Sequence, residues 1–216
     1  MKRIILVIFI LLFAGYVRCQ QDPEATKILD IVAEKTKSYK SIQADYELVI
    51  DDRKEDIQSD SKGQITIKKN KYKLESTGSI VYYDGKTMWT YTEDNQEVVI
   101  TEPDTLDENF LSNPAKIFYF YNRDFKYRYV GEITIDDVKM HEIHLFPINL
   151  DQPYSRIRLY IDAERDILSF IQIVGKDGID YNIALSNYVT DKDFDDSIFV
   201  FDNSKYRKAE IIDLRY

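Results

Sequence analysis

Two short runs in this sequence carry the residue types of metal sites, and in both the spacing argues against a metal. His141-Glu142-Ile143-His144 sets its histidines three apart in a strand-like run, which sends them to opposite faces; the helical zinc signature needs them four apart on one face. Asp191, Asp193 and Asp195 alternate as in a calcium loop, but the sixth position is Asp196 instead of Gly and the twelfth is Asp202 instead of Glu. These acids read as a solvated connection. No Gly-x-Ser-x-Gly, phosphate-binding Gly-rich loop or dinucleotide fingerprint occurs, and 2 His and 1 Cys leave nucleophilic and metal-assisted hydrolysis short of parts. The expectation is a protein that is not an enzyme, with no metal and no cofactor.

Composition narrows the class further. The 216 residues fit one domain. A net charge of −9 speaks against nucleic acid as a partner, and 7 Gly with 5 Pro speak against a collagen-like or disordered chain. The unusual feature is 17 Tyr, 11 Phe and 1 Trp, a supply of rings suited to apolar surfaces with wet edges.

The elements that would hold such a surface begin after residue 19. Lys2 and Arg3 followed by the apolar run Ile4 to Phe13 read as a secretory signal peptide over 1–19, too short to span a bilayer, which needs about 20 residues. A cut after Cys19 places Val17 and Cys19 at the −3 and −1 positions and removes Lys2, Arg3 and Arg18 but no acid. A lipid-modified Cys19 is disfavoured by Arg18, where a small residue would be needed. The mature chain, residues 20–216, then carries a charge of −12 and no cysteine, and its field repels anionic membranes.

Asp22-Pro23-Glu24 reads as a helix start, with Asp22 as N-cap and Pro23 at the first helical position. Ala25, Ile28, Leu29 and Val32 then form one apolar stripe, with Lys27, Asp30, Glu34, Lys35 and Lys37 on the other side. That stripe fits either a movable lid or a helix packed permanently on a sheet. From Ser41 the period changes to two. Ile42, Ala44, Tyr46, Leu48 and Ile50 alternate with polar residues, as do Ile65 and Ile67, then Tyr72 and Leu74. Asp84-Gly85 and Asp177-Gly178 predict tight hairpins with positive φ at both turn residues. Further strands are expected at 88–92, 98–101, 125–130, 138–146, 156–162, 168–174, 179–187 and 198–201. Asn113-Pro114 opens a short aromatic helix running to Tyr121.

One stretch is more specific. Gly63-Gln64-Ile65-Thr66-Ile67-Lys68-Lys69-Asn70, Tyr72-Lys73-Leu74 and Tyr83-Asp84-Gly85-Lys86-Thr87-Met88-Trp89-Thr90-Tyr91 resemble the LolA family, the periplasmic outer-membrane lipoprotein carriers. Ser197 to Phe201 and Ala209 to Arg215 resemble its C-terminal strand and tail. The resemblance implies a mainly β (α+β) fold: an unclosed antiparallel β-barrel, a curved sheet whose concave apolar face is covered by an N-terminal helix and a short internal helix. It implies a periplasmic, monomeric carrier that binds acylated lipoproteins and moves them between the membranes. An inner-membrane lipoprotein-releasing transporter and an outer-membrane acceptor would be its partners, with no nucleic acid and no stable membrane insertion. The alternative is an exported module of the same fold that senses lipid or lipoprotein without transferring it.

On this reading the acyl-chain cavity is Tyr46, Leu48, Ile65, Ile67, Tyr72, Leu74 and Met88, and the lid is Ile28, Leu29, Val32, Ile117, Phe118 and Phe120. Trp89 falls opposite Met88 in the alternation and reads as a packed ring. The family's lid clasp is an Arg followed by Pro; here Lys69 and Asn70 stand there, and a Lys clasp lacks the planar fork of Arg. The latch is therefore either a weaker Lys69 or lies elsewhere.

Overall fold

The structure is a computed structural model and describes residues 21–103 and 124–215. The expected signal peptide and the helix carrying Ile117, Phe118 and Phe120 lie outside the described residues. Helix α1 (Pro23–Ser38) leads into a first meander of β1 (Ile42–Asp52), β2 (Ile57–Lys68), β3 (Lys71–Ser76), β4 (Ser79–Tyr83), β5 (Met88–Thr92) and β6 (Glu97–Thr101). A second meander follows: β7 (Phe125–Ile135), β8 (Val138–Pro147), β9 (Tyr154–Asp162), β10 (Ile167–Gly175) and β11 (Ile179–Thr190). Antiparallel pairing of β1 with β11 joins the two meanders into one sheet. A final strand, β12 (Glu210–Asp213), pairs in parallel with β6. The twelve-stranded sheet thus runs from β12 at one edge to β7 at the other and stays unclosed. The β1–β11, β7–β8 and β9–β10 pairings carry register shifts, irregularities of the kind that let a sheet bend.

Alternation sorts the residues onto two faces. Inward residues of both meanders, with the α1 stripe, form one apolar cluster. A smaller core sits on the outer face of β3–β6. There Phe201 and Tyr206 of the C-terminal segment pack against Tyr82, with the Tyr206 ring 5.1 Å from Phe201 and its hydroxyl 3.0 Å from that of Tyr82, and Phe199 of the same segment is fully buried. A wholly solvated outer face would have left these rings in water.

Three local expectations are corrected. Residues 198–201 are not a strand: Asp195 caps a short 3-10 helix, Asp196–Phe199, which buries Phe199. At the Asp84-Gly85 hairpin only Gly85 has positive φ; the connection spans four residues because the Asp84 carboxylate accepts the Lys86 and Thr87 N–H groups and sets a wider turn. At the second hairpin Gly178 likewise carries the positive φ, with Asp177 accepting from the Ile179 N–H.

Candidate functional site

The sheet register arranges the concave face in rows. One row crosses five strands as Ile42, Ile67, Tyr72, Tyr83 and Met88. It is sealed as far as Tyr83: Ile67 and Tyr72 are each 1% exposed, the Tyr72 and Tyr83 rings lie 5.1 Å apart, and the Tyr72 hydroxyl donates to the sulfur of half-buried Met88 at 3.5 Å. Burial, with Tyr83 beside it, pushes the Tyr72 phenol up to about 12. The next row, Ala44, Ile65, Leu74, Val81 and Thr90, begins to open.

The third row turns polar toward β5: Tyr46, Gly63, Ser76, Ser79 and Thr92. Only glycine fits at 63, because a Cβ there would lie 1.8 Å from the Glu75 carbonyl oxygen and 2.8 Å from the Tyr46 hydroxyl. The Tyr46 ring reaches across it; burial raises its pKa, against hydrogen bonds from Ser76 and Ser61. The fourth row runs through Leu48. Toward β7 it continues as Ile183, Ile171, Leu159, Ile143 and Tyr129, whereas toward β2 it stops at Ser61.

Of the residues expected to form the cavity and lid, Ile65, Ile67 and Tyr72 join Ile28, Leu29 and Val32 in the buried cluster, and Leu74 and Met88 pack against it half-buried. Tyr46 and Leu48 share the face but stand outside that cluster. Trp89 lies on the outer face, as its register with Tyr82 and Ile100 requires. Sequence reasoning did not single out Tyr181, Ile183 and Leu185, which stand on the same face as the expected cavity residues, packed against the buried cluster. Their alternation was legible, but their place beside Ile50, Leu48 and Tyr46 depends on a pairing more than 130 residues distant in the chain.

Helix α1 is fastened at its N-terminus to the edge strand β7. The Asp22 carboxylate caps the helix through the Glu24 and Ala25 N–H groups, at 3.0 and 3.3 Å, and its second oxygen accepts the Tyr129 N–H at 3.0 Å. Gln21 donates to the Phe125 carbonyl at 2.8 Å and accepts the Tyr127 N–H at 3.1 Å. These two side chains satisfy three backbone groups of β7, the Phe125 carbonyl and the Tyr127 and Tyr129 N–H groups, as a paired strand would in part. Burial works against the Asp22 charge, but the backbone donors outweigh it and hold the carboxyl below 3.8. Further along, the Lys35 ammonium donates to the Arg165 carbonyl.

Lys69 sits in the β2–β3 turn, exposed, at φ 57, with no hydrogen bond or ion pair among the described residues. Its neighbours Lys68 and Lys71 instead hold Asp196 at 2.9 and 2.7 Å, drawing that carboxyl down to about 2 and tying the 3-10 helix to the turn. The remaining chemistry-bearing residues serve the fold. His141 and His144 lie on opposite faces of β8, the former beside the Tyr129 hydroxyl and the latter 2.6 Å from Glu142. Asp191 accepts the Lys40 N–H at 2.8 Å.

Comparisons with known proteins agree with this geometry. An uncharacterized protein of Methanocaldococcus jannaschii is 26% identical over 164 residues, 76% of this chain and 48% of its own length, so the chain spans about half of that curated relative. An uncharacterized conserved protein from Thermus thermophilus superposes with a TM-score of 0.59 at 12% identity, covering 88% of this chain and 99% of its own, and so shares the fold. A LolA superfamily protein from Nitrosomonas europaea aligns at a TM-score of 0.44 and 13% identity, over 82% of this chain and 97% of its own. The family model described as outer membrane lipoprotein carrier protein LolA matches residues 37–202, from the end of α1 to the C-terminal segment, and with the unclosed curved sheet this places the chain in the LolA family.

Proposed function

We propose that the protein is a periplasmic carrier that shelters the acyl chains of lipoproteins on its concave face and delivers them between membranes. The observation that carries this reading is the gradient along β1: Ile42 and Ala44 are buried, Ala44 in one cluster with the α1 stripe, while Tyr46, Leu48 and Ile50 remain half-buried on the same face. An apolar floor that continues beyond its sealed core suits a guest. At about 0.8 kcal/mol per buried CH₂, one ~16-carbon chain costs on the order of 10 kcal/mol to expose to water, so an apolar shelter is a requirement of transport.

On this reading Tyr46, Leu48, Ile65, Ile67, Tyr72, Leu74 and Met88 line the cavity, and the Ile28, Leu29 and Val32 stripe serves as its cover. Ile117, Phe118 and Phe120 are assigned to the cover from the sequence alone. Gln21 and Asp22 provide a fastening for α1, and Lys69 remains the proposed family-type clasp, engaged through a rearrangement of its turn. The loading transporter and the outer-membrane acceptor follow from the family's role. The test is mass spectrometry of whatever leaves the cell bound to the protein, alongside displacement of a fluorescent fatty acid. Acylated peptides in the first and displacement lost in Leu48→Glu support the carrier. A protein that binds acyl chains yet fails to move lipoprotein between membranes is instead a sensor of the same fold.

A further inference from the structure

The inward residues of β7, β8 and β9 are core, so their alternate residues make an outer face, and that face is cationic. Register sets Arg128 opposite His144 and His144 opposite Arg158, with Lys126 beside Phe146 and Arg156 two residues from Arg158 toward the same strand ends. Two carboxylates lie near these four cations: Glu142, engaged by His144 at 2.6 Å, and Asp22, whose carboxyl is lowered in part by the Arg128 charge while it caps α1. Asp162, at the far end of β9, is held by Arg165 at 2.7 Å. Arg156 and Arg158 are half-buried, and neither pairs with a carboxylate among the described residues. The Arg158 Nε is buried with no hydrogen-bond partner among those residues. His144 is not counted as a cation, because burial holds it below its usual range despite Glu142. These cations lie on β7 and β9, with β8 between them, and together make one cationic strip. Their concentration in a chain of net charge −9 therefore points to an anionic partner.

The same strand ends carry an apolar tip. In the β8–β9 loop Ile148 is 54% and Leu150 75% exposed. The loop is braced by the Ile148 N–H on the Asp124 carbonyl at 2.9 Å, and the Lys176 ammonium donates to the Leu150 carbonyl. Asp124, Asp151 and Asp177 are the acids around the tip, so the excess of positive charge lies further up the strip, at Arg128, Arg156 and Arg158. Apolar side chains at a tip backed by basic residues match a bilayer interface, where the former enter the acyl boundary and the latter meet phosphates.

We propose that the outer face of β7–β9, with Ile148 and Leu150 at its tip, docks the protein reversibly on anionic phospholipid membranes. The docking face is opposite the concave cavity, and its cations act locally where the Debye length of about 8 Å screens the distant acids. The test is co-flotation of the purified protein with vesicles of phosphatidylglycerol in phosphatidylcholine and with phosphatidylcholine alone. Binding should require phosphatidylglycerol and fall with salt. Lys126→Glu with Arg128→Glu, both at exposed positions, should weaken it at least about 25-fold, since each basic residue near the surface contributes about fivefold. Leu150→Ser should weaken it severalfold with an unchanged melting temperature. Wild-type protein that ignores phosphatidylglycerol, or binding untouched by the double variant, overturns the proposal. Capture of a poly-glutamate peptide without vesicle binding would also overturn it, giving the face to an acidic protein. Leu48→Glu should keep vesicle binding, which separates failure of docking from failure of the cavity.

Discussion

The two halves of the concave face are built from the same alternation yet end differently. Across β8, β9 and β10 the inward residues Ile143, Leu145, Ile157, Leu159, Ile171 and Ile173 are all fully buried. Across β1 to β5 the face grades from sealed Ile67 and Tyr72 to half-buried Leu48 and Leu74, and then to Ser59, Ser61, Ser76 and Ser79. Close packing makes the first half a source of stability, since every methylene there already has neighbours. In the second half contacts are incomplete on one side, and on the proposed carrier reading a guest supplies them at little cost to the fold. That reading divides stability and binding between neighbouring regions of one sheet.

The sharpest break of this comparison is a matched pair of substitutions. Leu159→Ala in the sealed half should lower stability by about 2–5 kcal/mol, read by denaturant unfolding, with acyl affinity per folded molecule retained. Leu48→Glu in the open half should reverse the pattern. Acyl-chain affinity should drop by at least about tenfold, because a carboxylate against a hydrocarbon chain must be desolvated, while the melting temperature moves less than in Leu159→Ala. If the two variants lose stability equally, the halves are not functionally distinct.

A smaller effect is expected at the fastening of α1. Asp22→Ala removes an N-cap and the bond to Tyr129, and should cost about 1–2 kcal/mol and speed acyl exchange in a stopped-flow displacement assay. Its pH signature follows from the lowered carboxyl. The stabilisation is complete above the ordinary value of 3.8 and is lost as pH falls through the lower folded value, so the wild type and Asp22→Ala should converge in stability under acid. Persistence of the difference at pH values below the folded pKa would count against the ionised carboxylate as the fastening. The smallest stability effect belongs to Lys69→Leu, within about 0.5 kcal/mol for an exposed turn residue. Its readout is transfer of lipoprotein between membranes; unchanged transfer makes Lys69 a surface lysine.

Much of this architecture was legible beforehand. Asp22-Pro23 announced the start of α1, because capping chemistry is local. Most strands of both meanders were expected, although β4 and the first half of β2 were not among them, and the two Asp-Gly pairs located their hairpins, though not the turn geometry, which the Asp84 carboxylate reset. The second role of Asp22 was invisible, because its partner Tyr129 lies 107 residues away and the bond is to backbone, which leaves no pattern in residue types. The C-terminal segment misled for a related reason. Ile198 to Phe201 has strand composition, but Phe199 is drawn into the outer core and the segment closes as a 3-10 turn.

The sequence by itself determined the faces: period-two alternation decides which side chains share a surface, wherever the strands end up. It also determined the caps and the hairpin positions, which depend on residues a few places apart. Tertiary structure alone decided which faces meet. Pairing β1 with β11, laying β12 along β6 and seating Gln21 and Asp22 on β7 are long-range closures. Backbone hydrogen bonds are the same for every residue type, so the chain carries no local mark of them. The division of the concave face into a sealed and an open half, and the gathering of Arg128 and Arg158 around His144, arise from those closures.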